Sequence, residues 1–347
     1  MDISARSNHA RTVASAASPR DFARLNLVGE SPAFLRALQL VDRISQCDAT
    51  VLVQGETGTG KELVARAIHY LGPRRDCAFI AVNCGAIPDS LIESELFGHV
   101  RGAFTDAKES RSGVIAQAQG GTLFLDEIDA LSQRSQVALL RFLQDREYKP
   151  VGGSVVRNAE VRILTSSNAD LEALVAKGVY RQDLLYRLNV LSIHLPPLRQ
   201  RVGDARLLAE TFLHRLSRQY GASEKTLHPQ TLAWFDAHQW PGNVRELENL
   251  MHREFLLTDR TEIYVNPAQA RSHVCSLSAA RTLTGAGFRE AKARAIAEFE
   301  RAYIVEILAK AQGNISLAAR MSGKERSRLG KLVKKYGLDR EYFCRVS

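Results

Sequence analysis

The 347-residue chain has no uninterrupted apolar stretch approaching the roughly 20 residues a membrane-spanning helix needs, which excludes an integral helical membrane protein. Its N-terminus has no apolar h-region, so no secretory signal is visible. Cysteine is scarce: Cys47, Cys77, Cys84, Cys275 and Cys344 form no CxxC pair and no metal-ligand spacing. That excludes a disulfide framework and a thiolate metal site, and the expectation is free thiols in a reducing cytoplasm. No internal repeat is present. What is there is 45% hydrophobic and 24% charged residues, a globular composition able to bury a substantial core. The length suits about two or three domains.

The net charge of +9 is unevenly placed. Residues 281–347 hold 15 Lys and Arg against 7 Asp and Glu, and subtracting that +8 from the total leaves the rest near +1. A basic tail of this size suits a polyanion partner such as double-stranded DNA, although charge alone leaves a solvated basic surface equally open.

Residues 1–26 are rich in Ala, Ser and Arg without periodicity and read as a disordered arm. Short apolar runs at 51–54, 78–83, 122–126, 161–166 and 191–195 then alternate with helical patterns such as 61–71 and 133–144. This alternation predicts an α/β domain with a parallel sheet covered on both faces. Past Pro196-Pro197 the strand patterns stop and residues 203–263 read as a small helical domain. Residues 266–286, rich in Ser, Ala, Thr and Gly, read as a linker, and a last helical segment follows.

Gly55-Glu56-Thr57-Gly58-Thr59-Gly60-Lys61 follows a short apolar strand and opens a helix, the context a P-loop requires. The glycines let backbone N–H groups turn inward, the helix aims its positive end at the same place, and Lys61 would reach the β- and γ-phosphates of ATP. Glu62 stands where Ser or Thr usually helps hold Mg²⁺, which leaves the metal more dependent on Asp126. Leu123-Phe124-Leu125-Asp126-Glu127 is an apolar strand ending in two carboxylates. Alternation separates the two side chains, so Asp126 would hold Mg²⁺ through water while Glu127 orients and deprotonates the attacking water.

Between these two halves lies Glu95-Leu96-Phe97-Gly98-His99-Val100-Arg101-Gly102-Ala103-Phe104-Thr105-Asp106-Ala107. Phe104, flanked by small residues, can be presented at a loop tip. The segment resembles the substrate-contacting loop of the bacterial enhancer-binding proteins, the AAA+ activators of sigma-54 RNA polymerase, whose usual loop reads Gly-Ala-Phe-Thr-Gly-Ala. The resemblance covers about residues 25–347. It implies an AAA+ core at 27–198, a helical lid at 199–265 and an all-α Fis-type helix-turn-helix domain at 287–347. By the same resemblance Phe104 and Thr105 touch sigma-54, and Arg181 and Arg187 of Arg181-Gln182-Asp183-Leu184-Leu185-Tyr186-Arg187-Leu188 reach a neighbouring subunit's ATP. Arg245, in Trp240-Pro241-Gly242-Asn243-Val244-Arg245-Glu246-Leu247, matches the second sensor, with Asn243 as expected N-cap of its helix. Asn83 matches the polar switch that holds the catalytic Glu back, and Asn168 the first sensor region; a plain strand-end Asn would look the same. Here Asp106 replaces the loop's second Gly, adding a negative charge where Gly allows more backbone angles.

Near the C-terminus Ile296, Phe299, Tyr303 and Ile307 recur at helical spacing, Gly313-Asn314 breaks the helix, and Ser316 can cap a short next helix in which Ala318 and Ala319 allow close packing. After Ser322-Gly323, a last helix would place Leu329, Leu332, Val333 and Tyr336 on one face and Arg328, Lys331, Lys334 and Lys335 on the other, with Arg326 and Ser327 at its start. Such a helix docks by its apolar face and offers its N-terminal and basic residues to the major groove and phosphates.

The expected protein binds upstream DNA as a dimer, assembles into a ring, taken as a hexamer, and hydrolyses ATP to remodel the closed sigma-54 polymerase complex. The arm is too short for a receiver domain, so regulation is expected from a trans-acting partner, expression level or assembly. Asp106 keeps open a sigma-54-independent DNA-binding repressor or architectural regulator. A helicase-like motor would leave residues 95–107 unexplained.

Overall fold

The computed structural model describes residues 19–105 and 107–265, together with Ala17, Ile304, Ile307, Ala311 and Ile315–Met321. The chain divides into two compact units, Met1–Asn266 and Pro267–Ser347.

In the first unit a five-stranded parallel sheet is built from β1 (Val51–Gln54), β2 (Phe79–Asn83), β5 (Thr122–Asp126), β8 (Arg162–Ser167) and β9 (Leu191–His194) in the order β2-β5-β8-β1-β9. The short hairpins β3 (Gly98–His99) with β4 (Arg111–Ser112), and β6 (Glu147–Tyr148) with β7 (Arg157–Asn158), complete the strands of the core. Its helices are α1 (Pro19–Arg24), α2 (Pro32–Ser45), α3 (Lys61–Tyr70), α4 (Asp89–Phe97), α5 (Val114–Gln117), α6 (Gln133–Asp145), α7 (Leu171–Ala176) and α8 (Gln182–Leu188). The five sheet strands fall within a residue of the runs read from the sequence.

Alternation along the strands explains why the sheet is covered on both faces. Leu52, Leu123, Leu125 and Ile163 join one buried cluster, while Val51, Val53, Phe124, Leu164 and Ile193 join another. The second cluster also takes Phe22, 5% exposed, from the helix α1 (Pro19–Arg24). This corrects the disordered arm at its C-terminal end: a single aromatic anchor gives that turn of helix a buried contact that a composition reading does not register.

The lid begins with the pair Arg201–Asp204, 3% and 1% exposed at their side chains. Asp204 accepts from the amides of Glu30 and Ser31 at 2.8 and 2.9 Å, and Arg201 donates to the Val28 carbonyl at 2.8 Å. Burying two charges is costly unless their remaining valences are met. Here they are met by a backbone segment, which ties residues 28–31 to the start of the lid. Three helices follow, α9 (Asp204–Tyr220), α10 (Pro229–Ala237) and α11 (Asn243–Leu257), α9 packing on the other two. A two-stranded parallel pair, β10 (Thr226–Leu227) with β11 (Glu262–Ile263), was not anticipated in this helical stretch, because two-residue strands have no readable period. Among the described residues no helix is long and apolar enough to cross a membrane.

In the second unit the helix Ile315–Met321 buries Ile315, Ala318 and Ala319, and Ile304 and Ile307 are also buried. The expected linker and the DNA-contact residues Arg326, Ser327, Arg328, Lys331, Lys334 and Lys335 lie outside the described residues.

Candidate active site

The parallel sheet places three strand ends side by side: β1 runs into the P-loop, β5 ends at Asp126, and β8 ends at Ser167, just before Asn168. Crevices at the carboxyl ends of parallel strands are where such sheets take ligands. The P-loop leads into α3 (Lys61–Tyr70), whose N-cap, Gly60, has no side chain to satisfy the first turn, so those amide donors stay available to an anion.

Lys61 is 7% exposed. Its Nζ donates to the carbonyls of Gly55 and Glu56 at 2.8 and 3.1 Å and to Asn168 Oδ1 at 2.5 Å. Burial pushes its pKa down, opposed by the negative charges of Asp126, Asp129 and Glu127. On the other side of Asn168, its Nδ2 donates to Glu127 Oε1 at 3.1 Å. One carboxamide therefore bridges the ammonium and the acid.

Glu127 sits at φ 56°, ψ 47°. A non-glycine residue in the left-handed region costs about 1–2 kcal/mol and marks a constrained position. The left-handed residue ends β5 and opens the 3-10 turn Ile128–Ala130. Asp126 accepts from the Glu127 amide at 3.1 Å and from the Ser166 hydroxyl. The neighbouring Cys84 thiol is pushed up to about 12 by burial and by the three carboxylates, so it remains protonated.

The expected switch role of Asn83 meets a different arrangement. Its Oδ1 accepts from the Ala86 amide at 3.0 Å and caps the turn Cys84–Ala86, while the side chain bonded to Glu127 is Asn168. Both groups nevertheless face Gly85: a Cβ there would meet Glu127 Oε2 at 2.4 Å and Asn83 Oδ1 at 3.3 Å.

The remaining P-loop side chains find partners within the chain, and Thr59 is buried. Thr59 Oγ1 donates to the Glu56 carbonyl at 2.8 Å, and Glu62 pairs with Arg66 one turn along α3. Glu56 is gripped by Arg199 through two bonds of 2.8 and 2.6 Å, and the guanidinium holds its carboxyl below the usual carboxylate range. Asn243 also reaches it, at 3.2 Å, and donates to the Thr57 carbonyl at 3.0 Å.

Asn243 departs from expectation. It is not an N-cap: it is the first residue of α11, at φ 52°, and its Oδ1 accepts from the Leu198 amide at 2.8 Å. The side chain is thus spent on joining the lid to the P-loop. The next amide, Val244, donates to the Gly58 carbonyl at 3.0 Å. Arg245 follows in the first turn, exposed, its Cβ 3.2 Å from where a Cβ on Gly58 would stand. The only sequence hint of this contact was the turn-prone Pro241-Gly242-Asn243, since Asn tolerates left-handed backbone better than most residues.

Arg181 pairs with Asp183 at 2.7–3.0 Å, and Arg187 donates to the Leu143 carbonyl at 3.5 Å. Neither of these contacts is to the P-loop or the acidic pair of the same chain.

Phe104 is carried between β3 and β4, 36% exposed, with its ring 5.0 Å from that of His99. Thr105 is exposed, Ala107 is buried, and Asp106 lies outside the described residues. The loop leans on the second hairpin: the Val100 amide donates to Val151 O at 3.1 Å, and the Val151 amide donates to Gly98 O at 2.8 Å.

A P-loop, an acidic strand end, a polar residue just past the neighbouring strand and a helical lid define an AAA+ ATPase. Residues 27–194 match the sigma-54 interaction domain, residues 199–273 an AAA+ ATPase lid domain, and residues 295–336 the bacterial regulatory protein, Fis family. The chain is 40% identical over 316 residues to Regulatory protein AtoC of Escherichia coli (strain K12), covering 90% of this chain and 68% of that protein. It is 41% identical over 318 residues to Transcriptional regulatory protein FlbD of Caulobacter vibrioides, covering 89% and 70%. The crystal structure of NtrX from Brucella abortus in complex with ATP superposes with a TM-score of 0.67 at 32% identity, covering 92% of this chain and 72% of that one. The chain belongs to the sigma-54-dependent transcriptional activators, and the sigma-54-independent reading is not favoured.

Proposed function

We propose that the protein binds upstream DNA through its Fis-type domain, assembles into a ring, and uses ATP hydrolysis to drive Phe104 and Thr105 against sigma-54 in the closed polymerase complex. The observation that carries this is the Asn168 bridge between Lys61 and Glu127, because it couples the phosphate-binding group to the group that handles water.

The residues fit ATP with magnesium: uncapped amides at α3, a buried ammonium and two carboxylates at the end of β5. Lys61 exchanges its carbonyl partners for β- and γ-phosphate oxygens. Magnesium, when bound, neutralises charge on those oxygens, and Asp126 would hold it through water. Glu127 orients a water and takes its proton as the water oxygen bonds to the γ-phosphorus and the bond to the ADP oxygen breaks. Asn168 releases or restrains Glu127 according to what Lys61 holds. Arg181 and Arg187 serve a neighbouring subunit's nucleotide, a contribution worth about 10³–10⁵ in rate for arginine fingers generally. Arg181 must then exchange Asp183 for phosphate on assembly. Arg245, standing over Gly58, reports nucleotide state to the lid. Asn83, beside the same carboxylate at Gly85, limits where Glu127 can swing. Arg326, Ser327, Arg328, Lys331, Lys334 and Lys335 contact DNA.

The test is capture of purified sigma-54 by the protein trapped with ADP–aluminium fluoride, native beside Phe104→Ala, with hydrolysis measured in parallel. Capture by the native chain that is lost in Phe104→Ala is the expected result. No capture by a native protein that hydrolyses ATP and assembles would overturn the sigma-54 contact.

A further inference from the structure

The turn after β5 carries a third carboxylate that the roles above leave unused. Asp129 lies in the 3-10 turn Ile128–Ala130, immediately after left-handed Glu127, and is half-buried. Its Oδ1 accepts from the Asn168 amide at 3.1 Å and from the Ser167 hydroxyl at 2.9 Å. That hydroxyl also lies 2.8 Å from the Ala169 carbonyl and 3.1 Å from its amide, which closes the turn at the end of β8. Asp129 therefore fixes the backbone on which the Asn168 carboxamide stands.

The Asn168 carboxamide has two obligations, to Lys61 at 2.5 Å and to Glu127 at 3.1 Å, and they come from different elements. A short side chain with two torsions meets both only if its Cα is held in place. Misplacing a group near the chemistry by about 1 Å can cost on the order of 10²-fold in rate. We propose that Asp129 is a positioning residue for hydrolysis: by binding the Asn168 amide and the Ser167 hydroxyl, it sets the carboxamide that links Lys61 to Glu127. The inference rests on the reading of Glu127 as the group that activates water and Lys61 as the phosphate ligand.

A competing account is that Asp129 acts only as a negative charge near Lys61. Two variants of the full chain separate the two. Asp129→Asn keeps an Oδ1 acceptor in place and removes the charge; Asp129→Glu keeps the charge and displaces the carboxylate by a methylene. Positioning predicts that Asp129→Asn retains kcat within about threefold, while Asp129→Glu and Asp129→Ala lose about tenfold or more, with KM for ATP changing much less. Loss in Asp129→Asn with retention in Asp129→Glu would overturn the inference in favour of charge. Native kcat in both Asp129→Glu and Asp129→Ala would overturn it outright. If Asp129→Ala does not fold, the Asn and Glu pair decides the matter. Glu127→Gln is run alongside: it is expected to bind ATP without turning it over. Continued turnover there would remove the underlying site reading, a failure distinct from any result at Asp129.

Discussion

Two glycine-containing loops of the same domain, the P-loop and the loop that carries Phe104, use glycine for different reasons. In the P-loop, Gly58 sits at φ +81° with the lid's backbone against it: an added Cβ would be 2.3 Å from the Gly242 carbonyl oxygen. In the Phe104 loop, Gly102 has a nearly identical φ of +80°, yet nothing lies within 4 Å of where its Cβ would be. The first glycine is required by a neighbour as well as by its own torsion, the second by torsion alone. The nucleotide site is therefore clamped from outside, by Asn243, Val244 and Arg199. The Phe104 loop is held mainly by its own turn, with Gly102 N donating to Ala107 O at 2.8 Å, and by one neighbouring hairpin. Support of the second kind suits the movement proposed for this loop, because low-stability segments are the ones that reorganise.

The contrast is broken most severely at Gly58. Gly58→Ala adds left-handed strain of about 1–2 kcal/mol and a clash with backbone that no rotamer relieves, worth roughly another 1–3 kcal/mol. The P-loop and α11 must separate, with loss of the bond from Val244 to Gly58. The expected outcome in calorimetric titration is ATP affinity weakened by about 10²-fold, with a lowered Tm. Native affinity in Gly58→Ala would show that the lid contact is incidental.

A smaller effect is expected at Asn243, where the contact can be dissected. Asn243→Ala leaves the Leu198 amide without its partner, about 1–3 kcal/mol, and puts a Cβ residue without side-chain compensation at φ 52°. Asn243→Gly loses the same hydrogen bonds without the torsional cost. Urea unfolding should find both destabilised, Ala more than Gly by about 1 kcal/mol. Equal losses would mean that the left-handed backbone is not under strain, and no loss in Gly would mean that the bonds from Asn243 to Leu198 and Thr57 contribute nothing.

These two regions also differ in how far the sequence exposed them. Residues 55–61 and 123–127 are contiguous, and their chemistry follows from order along the chain: strand, glycine turn, lysine, helix, and later strand, acid, acid. The five sheet strands were legible for the same reason, since buried parallel strands read as short apolar runs. What was not legible lies in contacts across the chain. Asn243 reaches Glu56 over 187 positions and Asn168 reaches Glu127 over 41. In each case the residue type is visible in the sequence but its partner is not, so Asn243 reads as a cap and the bond from Asn168 to Glu127 goes unseen. Asp129 escaped because a third acid beside an acidic pair looks redundant until its hydrogen bonds to β8 are seen. Phe22 escaped because one anchor in a polar arm has no period.

The mildest test sharpens the comparison at its other pole. In Gly102→Ala the new methyl meets nothing, so only the torsional cost remains, about 1–2 kcal/mol, and it falls on the loop alone. That free energy shifts the balance between the docked loop, with Phe104 against His99, and opened forms by roughly tenfold. Tryptic cleavage at Arg101 and Lys108 follows the open population when opening is fast relative to cutting, so it should accelerate by about the same factor. Tm and ATP affinity should stay at native values, because the bonds of Lys61 and Asn243 do not involve this loop. The same alanine substitution at the same φ would then unseat a binding site at position 58 and only loosen a tip at position 102. Should Gly102→Ala instead lower Tm or ATP affinity as Gly58→Ala does, the loop would have to be part of the same cooperative unit as the cradle. Phe104 could then not be moved without disturbing the nucleotide.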